Sequence, residues 1–181
     1  MNHLVKDAYG IDAVIKRIQE QIYPEFVERW EASINGYGRV YKNEREDRKV
    51  PEVFTSKEND YQDSFFDDNC DANFFFLASE ESKTEDEMVY SNDIKIVFCM
   101  DLAKCYNGRT DRMDALAHKD AVDILRNVPS SGKYSITGYQ TGLERIFSGF
   151  SIKGIKYDDM QPLHIFAVLA NLNYSLTDKC T

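Results

Sequence analysis

The chain lacks the short patterns that commit a protein to a reaction. It holds no Gly-x-Gly-x-x-Gly fingerprint, no P-loop, no Gly-x-Ser-x-Gly elbow and no His-Glu-x-x-His zinc motif. Histidine is scarce: His3, His118 and His164 are scattered along the sequence. The four cysteines (Cys70, Cys99, Cys105, Cys180) show neither CxxC nor zinc-ligand spacing. No export signal is expected, because the segment around Lys6, Asp7, Lys16 and Arg17 has no apolar centre; the thiols are therefore expected to be reduced. Long hydrophobic runs are also missing. Met160–Thr177 carries no Asp, Glu, Lys or Arg, but Gln161, Asn171 and Asn173 interrupt it and its alternation suits a strand. Positive charge is in deficit, 22 basic against 31 acidic residues for a net −9. That balance argues against a non-specific grip on nucleic acid or anionic lipid, both of which need cations.

What is present is material for a core. Of 181 residues, 43% are hydrophobic, with 11 Tyr and 11 Phe, so an ordered chain of one domain (1–181) is expected. The clearest stretch is Ile94–Val128. Ile94, Ile96, Phe98 and Met100 share one face of a strand, with Lys95, Val97 and Cys99 on the other. Asn107-Gly108 breaks that pattern, and Thr110 or Asp111 is placed to cap a helix. Met113, Leu116, Ala117, Ala121, Ile124, Leu125 and Val128 then recur at helical spacing, with Asp114, His118, Lys119, Asp123 and Arg126 mostly off the stripe.

Upstream, Ile11, Val14, Ile15, Ile18 and Ile22 predict an amphipathic helix opening after Gly10, which Pro24 is expected to interrupt. Residues from about 42 to 69 read as an irregular acidic insertion: Asn43–Lys49 is a dense charge run, and Pro51–Asn69 mixes aromatics and acids without a period. Phe74–Leu77 reads as a strand buried on both faces, forming a long hairpin with Ile94–Met100. Leu163–Leu176 is the longest strand pattern, paired antiparallel as the simplest connection. The expected fold class is α+β: a mainly antiparallel sheet with a long hairpin, packed by an N-terminal and a central amphipathic helix.

Candidate chemistry is thin. Asp114 and His118 form an i, i+4 pair that suits a metal or a proton relay, but no third ligand lies within sequence reach, so a surface pair is the plainer reading. Asp60, Asp63, Asp67 and Asp68 do not match a calcium loop. No catalytic, cofactor or metal residue is assigned, and the expectation is a non-enzymatic protein. Two features suit contact with a partner. One is the acidic hairpin tip, Glu80, Glu81, Glu85, Asp86 and Glu87; the other is Trp30, the only tryptophan, expected as a core or interface anchor.

The order of elements resembles the tail terminator and head–tail neck ring proteins of tailed bacteriophages. The residues that carry the likeness are Asn73-Ala-Asn-Phe-Phe-Phe-Leu-Ala-Ser, Asp93-Ile-Lys-Ile-Val-Phe-Cys-Met, Asp111–Val128 and the closing Met160-Gln-Pro-Leu-His-Ile-Phe-Ala-Val. The resemblance implies a structural virion protein, made in the host cytoplasm. Copies of the chain would pack side by side in a ring, a hexamer or dodecamer, between portal, neck or tail neighbours. DNA would pass through the lumen without specific binding, and neither catalysis nor a membrane is involved. The acidic balance agrees with a passage that does not hold DNA. Two other classes stay open. An acidic inhibitor or immunity-type protein would use Glu44–Asp68 and Glu80–Glu87 to mimic nucleic-acid charge against a basic partner. An enzyme would need a site assembled from distant residues around His118 or His164.

Overall fold

A computed structural model describes residues 1–55, 60–63, 69–107, 109, 112–152 and 161–180. In chain order the elements are β1 (Asn2–His3), β2 (Ala8–Tyr9), α1 (Ile11–Trp30), β3 (Ile34–Arg45), β4 (Arg48–Thr55), β5 (Asp60–Asp63), β6 (Ala72–Ala78), β7 (Lys83–Asp86), β8 (Val89–Asp101), α2 (Leu102–Cys105), α3 (Asp114–Asn127), a 3-10 turn (Pro129–Lys133), β9 (Tyr134–Thr141), α4 (Leu143–Ile146), β10 (Leu163–Tyr174) and β11 (Lys179–Cys180). The fold is α+β. Its main sheet runs β5-β4-β3-β6-β8-β10-β9, with β7 added to β8 and β1 to β3. Pairing is antiparallel except for β1–β3 and β3–β6, which are parallel.

The alternation of β8 explains its central place. Ile94, Ile96, Phe98 and Met100 all face α1 and α3, while Val97 and Cys99 face the opposite side. Its neighbours repeat the division: Phe74 and Phe76 of β6 join the helical face, Phe75 and Leu77 the other. On β10, Phe166, Val168, Ala170 and Leu172 join the first face, and Ile165 and Ala167 the second. Phe74–Phe98–Phe166 is a cross-strand row, in register from β6 through β8 to β10. The expected antiparallel pairing of Phe74–Leu77 with Ile94–Met100 is present, in a ladder from Ala72–Met100 to Ala78–Ile94, but the connection expected as a polar loop carries a strand of its own, β7, which pairs with β8.

Two further expectations are corrected. Pro24 does not interrupt α1, which runs unbroken through it. Proline removes the hydrogen bond to the carbonyl one turn back, but Pro24 and Glu20 are both exposed, so water can serve that carbonyl. The apolar stripe meanwhile continues past the proline through Ile22, Phe26 and Trp30, all buried.

Residues 42 to 69 are not simply irregular. β3 and β4 form a hairpin in register from Val40–Val53 to Arg45–Arg48, turning at Glu46 and Asp47, which both have positive φ. The charge run is the end of this hairpin. Glu52 is buried there because Arg45 grips both its oxygens, at 3.1 and 3.2 Å, and Asn43 donates at 2.6 Å. Burial opposes the ionised carboxylate, but these partners outweigh it and hold the Glu52 pKa below its ordinary value. Asp67 and Asp68, like the capping positions Thr110 and Asp111, lie outside the described residues. α3 itself begins at Asp114, with Met113 before it and no side-chain cap bond.

Candidate functional site: an open cleft and a histidine pair

The two long helices, α1 and α3, cover one face of the sheet. On the opposite face, α4 and the residues after it cover the β6–β8–β10 region in part: Ile146 and Phe147 pack on Phe75, Val97 and Ile165. Toward the β6–β7 connection this cover ends and leaves a cleft of about 830 Å³. Leu77, Lys95 and Leu169 lie side by side across its floor, in register on β6, β8 and β10. Ile146, Ser148 and Phe150 line one side, Arg39–Lys42 and Ser79–Glu81 the others.

The charges of the cleft are mostly committed. Lys42 Nζ lies 2.8 Å from Glu80 Oε1, and this partner holds the exposed Glu80 carboxyl below its ordinary pKa. Arg39 Nε is 3.0 Å from Asp12, and its guanidinium sits 4.7 Å from the centre of the Tyr41 ring. Asp93 accepts from Asn171 Nδ2 at 3.0 Å. Lys95 differs from the other cations. Its ammonium donates to the carbonyls of Arg145 and Ile146, both at 3.0 Å, and has no carboxylate partner among the described residues. Burial lowers its pKa.

Asn92 fixes the Ser79–Ser82 wall. Its Nδ2 donates to the carbonyls of Ser79 and Glu81 and to Ser82 Oγ at 2.9–3.1 Å, while its Oδ1 accepts from the Ser79 amide at 3.0 Å. Asn92→Ala is expected to cost about 1–3 kcal/mol, the penalty for orphaning buried polar groups. Urea denaturation should show the loss, and faster amide exchange over residues 79–82 should locate it.

The acidic residues expected at one hairpin tip are divided by the fold. Glu80 and Glu81 form a cleft wall, whereas Glu85, Asp86 and Glu87 stand at the β7–β8 turn. Beside Glu87, Met88 is 63% exposed and Val89 47%. Trp30 is in the core at 2% exposure, stacked on Phe26, with its indole N–H donated to Tyr106 at 3.1 Å. Its buried indole leaves no surface for a partner.

The structure also brings together two histidines 46 residues apart. His118 Nε2 on α3 and His164 Nε2 on β10 are 2.9 Å from each other. Phe166 and Tyr139 flank His118, with ring centroids at 4.5 and 4.8 Å. No sequence spacing signals such a pairing, because it is made entirely by tertiary packing. No group of three or more His, Cys, Asp or Glu side chains suited to a metal occurs among the described residues. The cleft is lined by neither histidine.

A hydrogen bond between two imidazoles needs one donor and one acceptor, so at least one ring is neutral. Burial lowers the His118 pKa and His164 lowers it further, while Asp114, itself held by Arg112, opposes them. The unfolded chain therefore binds the proton more readily than the folded one. The stability from His118 is complete above its ordinary value of 6.5 and declines as pH falls through 6.5 toward the lower folded pKa. The unfolding free energy, read from urea denaturation, is expected to drop between pH 7 and pH 5, by at most about 1.4 kcal/mol per pH unit for this one proton. His118→Asn should remove that part of the slope. Cys105, by contrast, is a buried thiol pushed up to about 12 by desolvation, which makes it a poor nucleophile.

No family model and no curated protein matches this chain. No helix among the described residues is long and apolar enough to cross a membrane.

Proposed function

We propose that the protein is a structural virion component of the phage neck or tail junction, forming a homo-oligomeric ring around a DNA passage. One observation carries the reading: the element order behind the resemblance is laid out on one sheet, α1 and α3 on the same face and β10 beside β8. The sheet also has unlike ends, β9 at one and the β3–β4–β5 arm at the other. Ring closure by a head-to-tail contact needs two different surfaces on each copy, and unlike ends supply them. The net charge of −9 suits a lumen that DNA traverses without sticking.

The charge-mimic alternative is weakened, because two of its acids are not free. Glu52 is neutralised by Arg45 and Glu80 by Lys42. Light scattering across a concentration series tests the proposal. A discrete ring-sized mass is the expected result. A monomer at every concentration that also fails to enter assembled particles would overturn it.

A further inference from the structure

His118 and His164 meet through atoms with which imidazole binds metal ions. Their Nε2 atoms are 2.9 Å apart and their ring centroids 5.2 Å. His118 rides on α3, and His164 is the second residue of β10, so different elements set the two rings. Phe166 packs against both, its centroid 4.5 Å from that of His118 and 5.5 Å from that of His164. Tyr139 meets His118 from β9 at 4.8 Å. The rings are therefore positioned by packing before any ion binds, and donors held in this way lose little freedom on binding.

A zinc ion takes imidazole nitrogens at about 2.0–2.1 Å in tetrahedral geometry, which sets two of them about 3.3 Å apart. The pair needs to open by only about 0.4 Å, with a small rotation of each ring, to accept an ion at that spacing. The hydrogen bond between two neutral imidazoles uses one Nε2–H and one Nε2 lone pair. When an ion enters, the donor ring moves its proton to Nδ1, so both lone pairs reach the metal and no proton is lost. The Asp114 carboxylate stands one turn before His118 on the same face of α3, and its charge acts on both rings. Its partner Arg112 has a mostly exposed side chain. A negative charge at this place favours a cation between the rings. His164 is buried and His118 half-buried, so the His118 side is the route of entry.

We propose that His118 and His164 form a two-histidine chelate for a divalent transition-metal ion of the zinc class, with water in the remaining coordination positions. The inference stands apart from the ring reading. The ion would tie α3 to β10. Its two ligands are 46 residues apart in sequence, so the unfolded chain offers no such chelate, and binding stabilises the folded state.

The test is a calorimetric titration of zinc chloride into the full-length protein at neutral pH. One ion per chain is expected. His118→Asn and His164→Asn should each weaken binding at least about tenfold, the low end of the loss from disturbing even the surroundings of a metal ligand. Zinc at about ten times its dissociation constant should raise the folding constant about elevenfold in urea denaturation. Carbethoxylation of the wild-type protein, read by peptide mass, needs no variant: zinc should slow modification of His118. No saturable binding at millimolar zinc would overturn the site. Binding that both variants leave unchanged, with His118 modified at the same rate with and without zinc, would overturn it as well, by showing an adventitious ion only.

Discussion

Phe98→Ala is expected to destabilise the protein by about 3–5 kcal/mol, the range for removing a fully buried aromatic ring. Phe98 has no exposed surface and sits where strand pairing and helix packing meet. It stacks on Phe166 at 5.0 Å, meets Phe26 edge-on at 5.0 Å and Trp30 edge-on at 6.1 Å. Loss of its ring leaves a cavity under α1 and strips aromatic contacts from both neighbouring strands. Phe98→Leu keeps most of the volume and should cost about 1.5 kcal/mol or less. Chemical denaturation checks both values. A loss below about 1 kcal/mol for Phe98→Ala would mean that this face collapses around the void and that the aromatic row is not what joins helix to sheet.

Asp120→Ala should cost about 2–3 kcal/mol, through polar chemistry rather than packing. Asp120 is a buried carboxylate on α3. It accepts from Arg29 Nη1 at 2.8 Å and from Tyr106 Oη at 2.9 Å, and Tyr106 in turn accepts from Trp30 Nε1 at 3.1 Å. The chain of bonds ties both helices to the α2 segment. Removing the carboxylate orphans the Tyr106 hydroxyl, whose ionisation burial and Asp120 already push far upward. Arg29 is nearly half exposed and can turn to water, so the ion pair itself contributes less than a buried one. A double-mutant cycle with Arg29→Ala should therefore give a coupling of about 1 kcal/mol, well below the cost of Asp120→Ala. A coupling that matched the whole loss would show that the ion pair, not the Tyr106 hydroxyl, carries the effect.

The periodic elements were legible in the sequence because their partners did not matter. β8, β10 and the Phe74–Leu77 strand each declare two faces by alternation, and α3 declares one by its stripe. α1 was legible except at Pro24, where what decides is whether the freed carbonyl meets water, a fact of exposure and not of spacing. The β3–β4 hairpin was hidden by its charges. Glu52 is tolerated inside only because Arg45 and Asn43 reach it across the hairpin, and no single-strand pattern shows that. The same holds for the site. The acidic stretch was visible as composition, but Glu80 is spent on Lys42 in the cleft wall while Glu87 stands at the β7–β8 turn; the fold, not the sequence order, separates them. His118 stood out on its helix, and its actual companion lay on the last long strand, beyond the reach of any motif.

The place of β8 between β6 and β10 has a consequence for biosynthesis. Its inner flank is met by β6 soon after a ribosome emits it, but its other flank waits for Leu163–Tyr174. Until then one edge of the central strand is unpaired along Ile94–Met100, and Phe98 lacks its partner Phe166. Contacts this far apart in sequence form slowly. The nascent chain therefore passes through an interval in which a sticky edge is open to other chains, and holding that edge apart from other nascent copies is a task for chaperones. A cell making many copies at once would feel this as a limit on yield set by the arrival of β10.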